Sequence, residues 1–164
     1  MKILAPLLSL LVRDLGAFGR EIALFPDDET VWRTLPGVAN PAGNLALHVC
    51  GNLQHYVGAV LGGTGYVRDR ELEFSRRSGT RAEIAAEIER TVATLRQVMP
   101  TLGERLAADY PEAVAGVHPN TGLFLLHLAG HLTFHLGQAG YLRRILTGSA
   151  ETSGAVSVKA LVGA

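Results

Sequence analysis

Thr121 to Leu146 reads TGLFLLHLAGHLTFHLGQAGYLRRIL. Asn120 or Thr121 offers a side-chain oxygen to the free amides of a helix start, and Arg143 and Arg144 stand where a helix dipole ends negative. The stretch therefore predicts one long helix. Its histidines, His127, His131 and His135, recur at every fourth residue. Each step of four turns a helix only ~40° beyond a full circle, so the three rings share one stripe of its surface.

Three further helices precede it. Leu15, Phe18, Ile22 and Phe25 stand three or four apart and predict a first helix from Ala5 to Phe25, with Pro6 tolerated in its first turn and Pro26-Asp27-Asp28 ending it. Asn40-Pro41 predicts an N-cap followed by proline at the first helical position, opening a second helix from Pro41 to Leu61 that Gly62-Gly63-Thr64-Gly65 stops. A loop is expected from Tyr66 to Phe74. Thr80-Arg81-Ala82-Glu83 fits a capping box, and the third helix runs from it to Met99. Ile84, Ile88, Val92, Leu95 and Val98 form its apolar stripe, with Glu83, Glu87, Glu89, Arg90 and Arg96 on the solvated side. A short helical turn at Glu104 to Ala108 is expected within the Pro100 to Asn120 connection.

No segment alternates in the manner of a strand, so the fold class is all-α, a four-helix bundle in one domain over residues 1–164. The connections before the second and fourth long helices run to roughly 15–20 residues, long enough for crossovers. Residues 147–164 are small and weakly patterned, and read as a tail, free or packed on a neighbour.

Composition narrows the function. At 164 residues, 48% hydrophobic and 18% charged, the chain has the make-up of a folded protein. Fifteen basic residues balance fifteen acidic ones, which leaves no basic surplus for nucleic acid. No ~20-residue apolar run predicts a membrane span. Lys2 with the apolar run Ile3 to Val12 resembles a secretory signal, but no A-x-A site follows and the helical pattern continues through it. With Cys50 as the lone cysteine, a cytoplasmic protein is expected. The glycine cluster at 62–65 lacks the Lys-Ser/Thr pair of a phosphate loop.

Histidine carries the chemistry. Neighbouring rings four apart on a helix can grip one borderline divalent ion, and His48 on the second helix is the best third donor, with His55 one further turn pair along. Hydrogen-bonded core or surface histidines are the plainer alternative for any one ring. Three in register among Leu126, Leu128, Leu132, Phe134 and Leu136 would leave several buried nitrogens in need of partners. Neither Glu-x-x-His nor HExxH pairs are present, which argues against di-iron and zincin sites. Gly51 and Gly58, and Gly130 and Gly137, each stand seven apart; the hypothesis is a close crossing of the second and fourth long helices near the histidines that also forms a subunit interface, with ordinary core packing as the alternative for either pair.

Asn40-Pro41 leading to His48, GNLQHYVGAVLGGTGYVRDRELEF (Gly51 to Phe74) and HLTFHLGQAGYLRRIL (His131 to Leu146) together resemble the DinB-like superfamily, which includes the YfiT-type proteins. The resemblance reaches to about Leu146. It implies an up-down-down-up bundle, frequent homodimers, and one divalent metal ion per chain, nickel or zinc most often, with iron or manganese as alternatives. The ligands it implies are His48, His131 and His135, leaving His127 and His55 outside the triad. Relatives include thiol S-transferases that use low-molecular-weight thiols. The expected function is thus a metal-dependent transferase or hydrolase acting on a small molecule, with a non-catalytic, metal-stabilised stress-related or regulatory dimer as the alternative and haem or ligand sensing as a third. The resemblance gives Arg68, Asp69 and Arg70 no role, and a solvated loop or a salt-bridge cluster is expected there.

Overall fold

Leu7, Leu11, Leu15, Phe18 and Ile22 recur every three or four residues, and all five are buried. That spacing places them on one face of α1 (Leu4–Ala23). The computed structural model describes residues 3–154 and 157–162. Four long elements follow from the same logic: α1, α2 (Ala42–Leu53) continued by a π-helical segment (Gln54–Leu61), α4 (Arg81–Val98) and α5 (Thr121–Thr147). Two short helices, α3 (Arg70–Ser75) and α6 (Lys159–Val162), join them. The described residues contain no strand; isolated bridges at Asp109–Asn120 and Val114–Val117 brace the long connection before α5.

The all-α bundle has a simple cross-section. α1 packs on α4 and α5, and α2 packs on the same two helices. α1 and α2 therefore stand across a diagonal, as do α4 and α5, and each diagonal step needs one of the two long connections to cross the end of the bundle. Contacts give the directions. Asp14 meets Thr133 and Glu21 meets Arg143, so α1 and α5 run parallel. His48 meets His131 while Tyr56 meets Phe124, so α2 opposes α5. α1 and α5 point one way, and α2 and α4, aligned through Gly58–Thr94 and Gly62–Val98, point the other.

Local signals acted mostly as their chemistry dictates. Thr80 and Glu83 form the reciprocal capping box of α4, a contribution of about 1 kcal/mol. Asn120 caps α5 by accepting from the Leu123 amide at 3.2 Å, and Gly148 closes that helix at φ 66°. Asn40 does not cap α2: Pro41 occupies the cap position, and no side chain bonds the first amides. The expected loop from Tyr66 to Phe74 also needs correcting. Asp69 accepts from the Leu72 amide at 2.8 Å and starts α3 there.

α2 and α5 do meet near the histidines, as expected, but the α5 glycines are not what brings them together. A Cβ at Gly130 or Gly137 would meet nothing within 4 Å, because both lie on the outer face of α5. Close approach occurs elsewhere: a Cβ at Gly58 would stand 2.8 Å from Thr94, and one at Gly62 2.4 Å from Val98, both on α4.

Arg143 is a further departure. Beyond standing near the negative end of the helix dipole, its side chain is 0% exposed and Nε donates to Glu21 Oε2 at 2.6 Å. Its Nη2 donates to the Glu151 carbonyl, the Ser153 amide donates to Glu21 Oε1 at 3.3 Å, and Arg20 Nε donates to the Ser153 carbonyl at 2.8 Å. Residues 147–154 are thereby folded onto the chain's own ion pair, and α6 packs on α1. The expected tail also includes residues 155–156 and 163–164, which lie outside the described residues.

Burial alone pushes the Glu21 carboxyl up, but hydrogen bonds from Arg143 and Ser153, with the Arg143 charge, more than reverse this and hold it below its ordinary 4.5. Arg143→Met should cost about 3–5 kcal/mol in urea unfolding at pH 7, since buried Glu21 loses its close partner and keeps only the Ser153 amide and Arg144 at 3.8 Å. A carboxylate with a depressed folded pKa stabilises fully above its unfolded value. The deficit against the parent should therefore be complete at pH 7 and close as pH falls below 4.5.

Candidate metal centre

His48 projects from the middle of α2, where Asn44, Leu45, Val49 and Cys50 are all buried, so its ring has no route to solvent along its own helix. Its exposure is 7%. On the antiparallel α5, Leu128, Leu132 and Leu136 turn into the core and leave His131 and His135 on the flank facing α2, half-buried. Three Nε2 atoms converge there. His131 Nε2 lies 3.3 Å from His48 Nε2 and 3.0 Å from His135 Nε2.

The outer nitrogens of two rings already have partners. His48 Nδ1 lies 2.9 Å from Glu73 Oε2, and an ionised carboxylate only accepts, so Nδ1 carries the proton. His135 Nδ1 donates to Gln138 Oε1 at 2.8 Å. Both rings therefore turn lone pairs, not N–H groups, towards His131 Nε2, which can supply one proton at most. Three convergent nitrogens with so few protons form an acceptor-rich pocket that a cation completes. Spacing agrees: donors ~2.0–2.1 Å from a tetrahedral ion stand about 3.3–3.4 Å apart, and octahedral neighbours about 2.9 Å. The three histidines could hold a metal ion.

Protonation favours the same use. Burial, followed by the neighbouring His135, His48 and His127 rings, pushes His131 down to about 4. Burial likewise lowers His135, with Gln138 opposing and His48 adding to the effect. These two imidazoles are neutral at pH 7, the ligating form.

A comparison with protein families matches residues 11–139 to the DinB superfamily. The chain belongs to that superfamily. No curated protein matches it at a significant level.

In this DinB-superfamily chain the remaining histidines stay apart from the triad. His127 is exposed and stacks on His131 with ring centroids 6.1 Å apart. His55 pairs loosely with Glu112 at 3.6 Å. Of the two expectations for the Arg68-Asp69-Arg70 stretch, the salt bridge is found at Arg68 and the solvated side chain at Arg70. Arg68 is drawn inward to Glu73, with Nε 2.6 Å from Oε1 and Nη2 2.7 Å from Oε2; Asp69 caps α3; Arg70 stays exposed over the Phe74 ring at 5.2 Å. Phe74 in turn packs on His48, centroids 4.7 Å apart. Burial pushes the Glu73 carboxyl up, and the Arg68 and His48 hydrogen bonds outweigh it, holding it below its ordinary value and ionised.

Glu73 and Gln138 escaped the sequence reading. Neither stands at a ligand spacing from its histidine that sets it apart, although Gly51, three residues after His48, is the mark of something close by. Beyond Gln138 a cavity of about 360 Å³ runs along α5, lined by Leu35, Val38, Leu45, Leu142 and Ile145. Gln138 lines this cavity and also accepts from His135 of the triad.

Cys50 is close in sequence to His48 but takes no part. It is fully buried, and burial pushes its thiol up to about 12. The native protein should resist a thiol reagent such as dithionitrobenzoate over hours and release one equivalent of colour only on denaturation; rapid labelling of the folded chain would contradict this placement.

Proposed function

We propose that the chain binds one divalent metal ion, nickel or zinc, through His48, His131 and His135, and acts with it on a small molecule as a thiol S-transferase-type enzyme or a hydrolase. The observation that carries this reading is the meeting of three Nε2 atoms, two of them fixed as lone-pair donors by Glu73 and Gln138. Three neutral protein donors leave coordination positions free, as reactive rather than closed structural sites do. An ion held this way supplies Lewis acidity, lowering the pKa of a coordinated water or thiol. The protein's own part is to hold the rings, keep α2's side of the site dry, and offer the cavity beyond Gln138 to an apolar portion of the substrate. Its volume, about 360 Å³, is that of a small-molecule site. Buried, unreactive Cys50 leaves any thiol to come from outside the chain.

Elemental analysis should find one ion per chain in the purified protein and none in His48→Ala. Turnover of model electrophiles with a panel of low-molecular-weight thiols should fall at least 100-fold in His131→Ala. Ion uptake unchanged in His48→Ala would remove the triad from the reading, and turnover unchanged in His131→Ala would remove the metal from the reaction.

One observation favours a homodimer beside this activity. Leu123, Leu126, Phe134, Tyr141 and Ile145 are exposed and spaced three, four, seven or eight residues apart along the outer face of α5, with Gly130 and Gly137 among them. A contiguous apolar stripe of this kind marks an interface, and the glycines let a second α5 approach closely. In the non-catalytic alternative the metal stabilises such a dimer and no turnover is found. Sedimentation equilibrium should give a dimer that Leu126→Glu with Phe134→Glu converts to a folded monomer; a monomeric parent chain would remove this interface.

A further inference from the structure

Glu73 is a buried carboxylate that faces the back of a candidate ligand and is itself gripped at both oxygens. We infer that Glu73, locked by Arg68, is the positioning residue of the metal centre, fixing His48 in the Nδ1–H form so that Nε2 points its lone pair at the ion. The inference rests on the triad being a metal site and goes beyond it by assigning the group that makes His48 a competent ligand.

The local build supports the assignment. α3 is pinned against α2 by Asn44, whose side-chain amide donates to the Glu73 carbonyl at 2.6 Å and the Arg76 carbonyl at 3.0 Å. This brings the Glu73 carboxylate over Gly51. A Cβ at residue 51 would stand 2.1 Å from Glu73 Oε1, so the carboxylate occupies the space that glycine leaves. Arg68 Nη2 also lies 3.3 Å from His48 Nδ1. Arginine can only donate. With Glu73 present, Arg68 spends its N–H groups on the carboxylate and Nδ1 donates. Without Glu73, Arg68 is left to donate to a bare Nδ1, which moves the ring proton to Nε2 and covers the lone pair that would bind metal. Two groups at the back of one ring thus demand opposite tautomers, and Glu73 decides between them.

The test combines cobalt(II) and zinc titrations with histidine ¹⁵N NMR of the metal-free protein. Glu73→Ala should bind one ion 10–100-fold more weakly and show the His48 proton on Nε2, whereas the parent shows it on Nδ1. Adding Arg68→Met to Glu73→Ala should recover part of the lost affinity, which a purely structural role for Glu73 does not predict. Gly51→Ala, which displaces the carboxylate without removing it, should reproduce the tautomer change and the weakening, and it keeps the test open if Glu73→Ala fails to fold. Parent-like affinity and an Nδ1–H tautomer in folded Glu73→Ala or Gly51→Ala would overturn the positioning role alone. A parent chain that takes up neither metal would overturn the triad reading, and this inference with it.

Discussion

A buried imidazole has two nitrogens, and in an apolar bundle each must find a partner. That requirement organises this molecule. The back nitrogens of His48 and His135 are satisfied by Glu73 and Gln138, which commits the front nitrogens to be acceptors crowded around His131. Much of the fold serves this one cluster. α2 and α5 must be antiparallel neighbours to bring residue 48 opposite residues 131 and 135. α3 must fold where an open loop would suffice to connect, because Glu73 rides on it. Residue 51 must lack a side chain.

Holding donor atoms within a few tenths of an ångström also requires that α5 neither slide nor rotate. Two polar contacts to α1 oppose such motion from the far side of the helix. Thr133 donates to Asp14 at 2.7 Å, two residues from His131, and Arg143 grips Glu21 two turns beyond His135. A slip by one residue would strand the buried charges of Arg143 and Glu21 and take the Thr133 donor from buried Asp14. Apolar packing alone is more forgiving of such shifts, since leucine surfaces interdigitate in several registers. The polar pairs thus contribute register more than net stability, and register is what a three-donor site needs.

Signals that act within a few residues were legible in the sequence. The capping box at Thr80 and Glu83, the cap at Asn120, the glycine stop at 62–65 and the helical stripes all report on bonds made by near neighbours, and they fixed four helices to within a few residues. His127, His131 and His135 were legible as one stripe for the same reason, with His48 as the best third donor, and only resemblance selected His131 and His135 over His127. Arg143 was misread because a basic residue near a helix end has a sufficient local explanation in the dipole, while its actual partner, Glu21, lies far away in the chain. Glu73 was invisible on the same principle: its register with His48 is set by how α3 folds back on α2. The outward glycines of α5 show a further limit, since a seven-residue spacing reports which residues share a face but not whether that face looks inward or out.

Placing the carboxylate behind the histidine rather than among the donors has an electrostatic consequence. A carboxylate ligand would neutralise part of a divalent charge, and the Glu-x-x-His sites of other helical bundles do so repeatedly. Here the candidate donors are three imidazoles, and the charge of Glu73 is spent on Arg68 at 2.6 and 2.7 Å. The pair is close to neutral when seen from the site. An ion in this position would keep nearly its full charge towards whatever occupies its open face, the condition under which a metal acidifies a bound water or thiol most strongly. The same geometry that selects the His48 tautomer therefore also sets the donor charge at zero, and both follow from one buried glutamate being held one residue layer back.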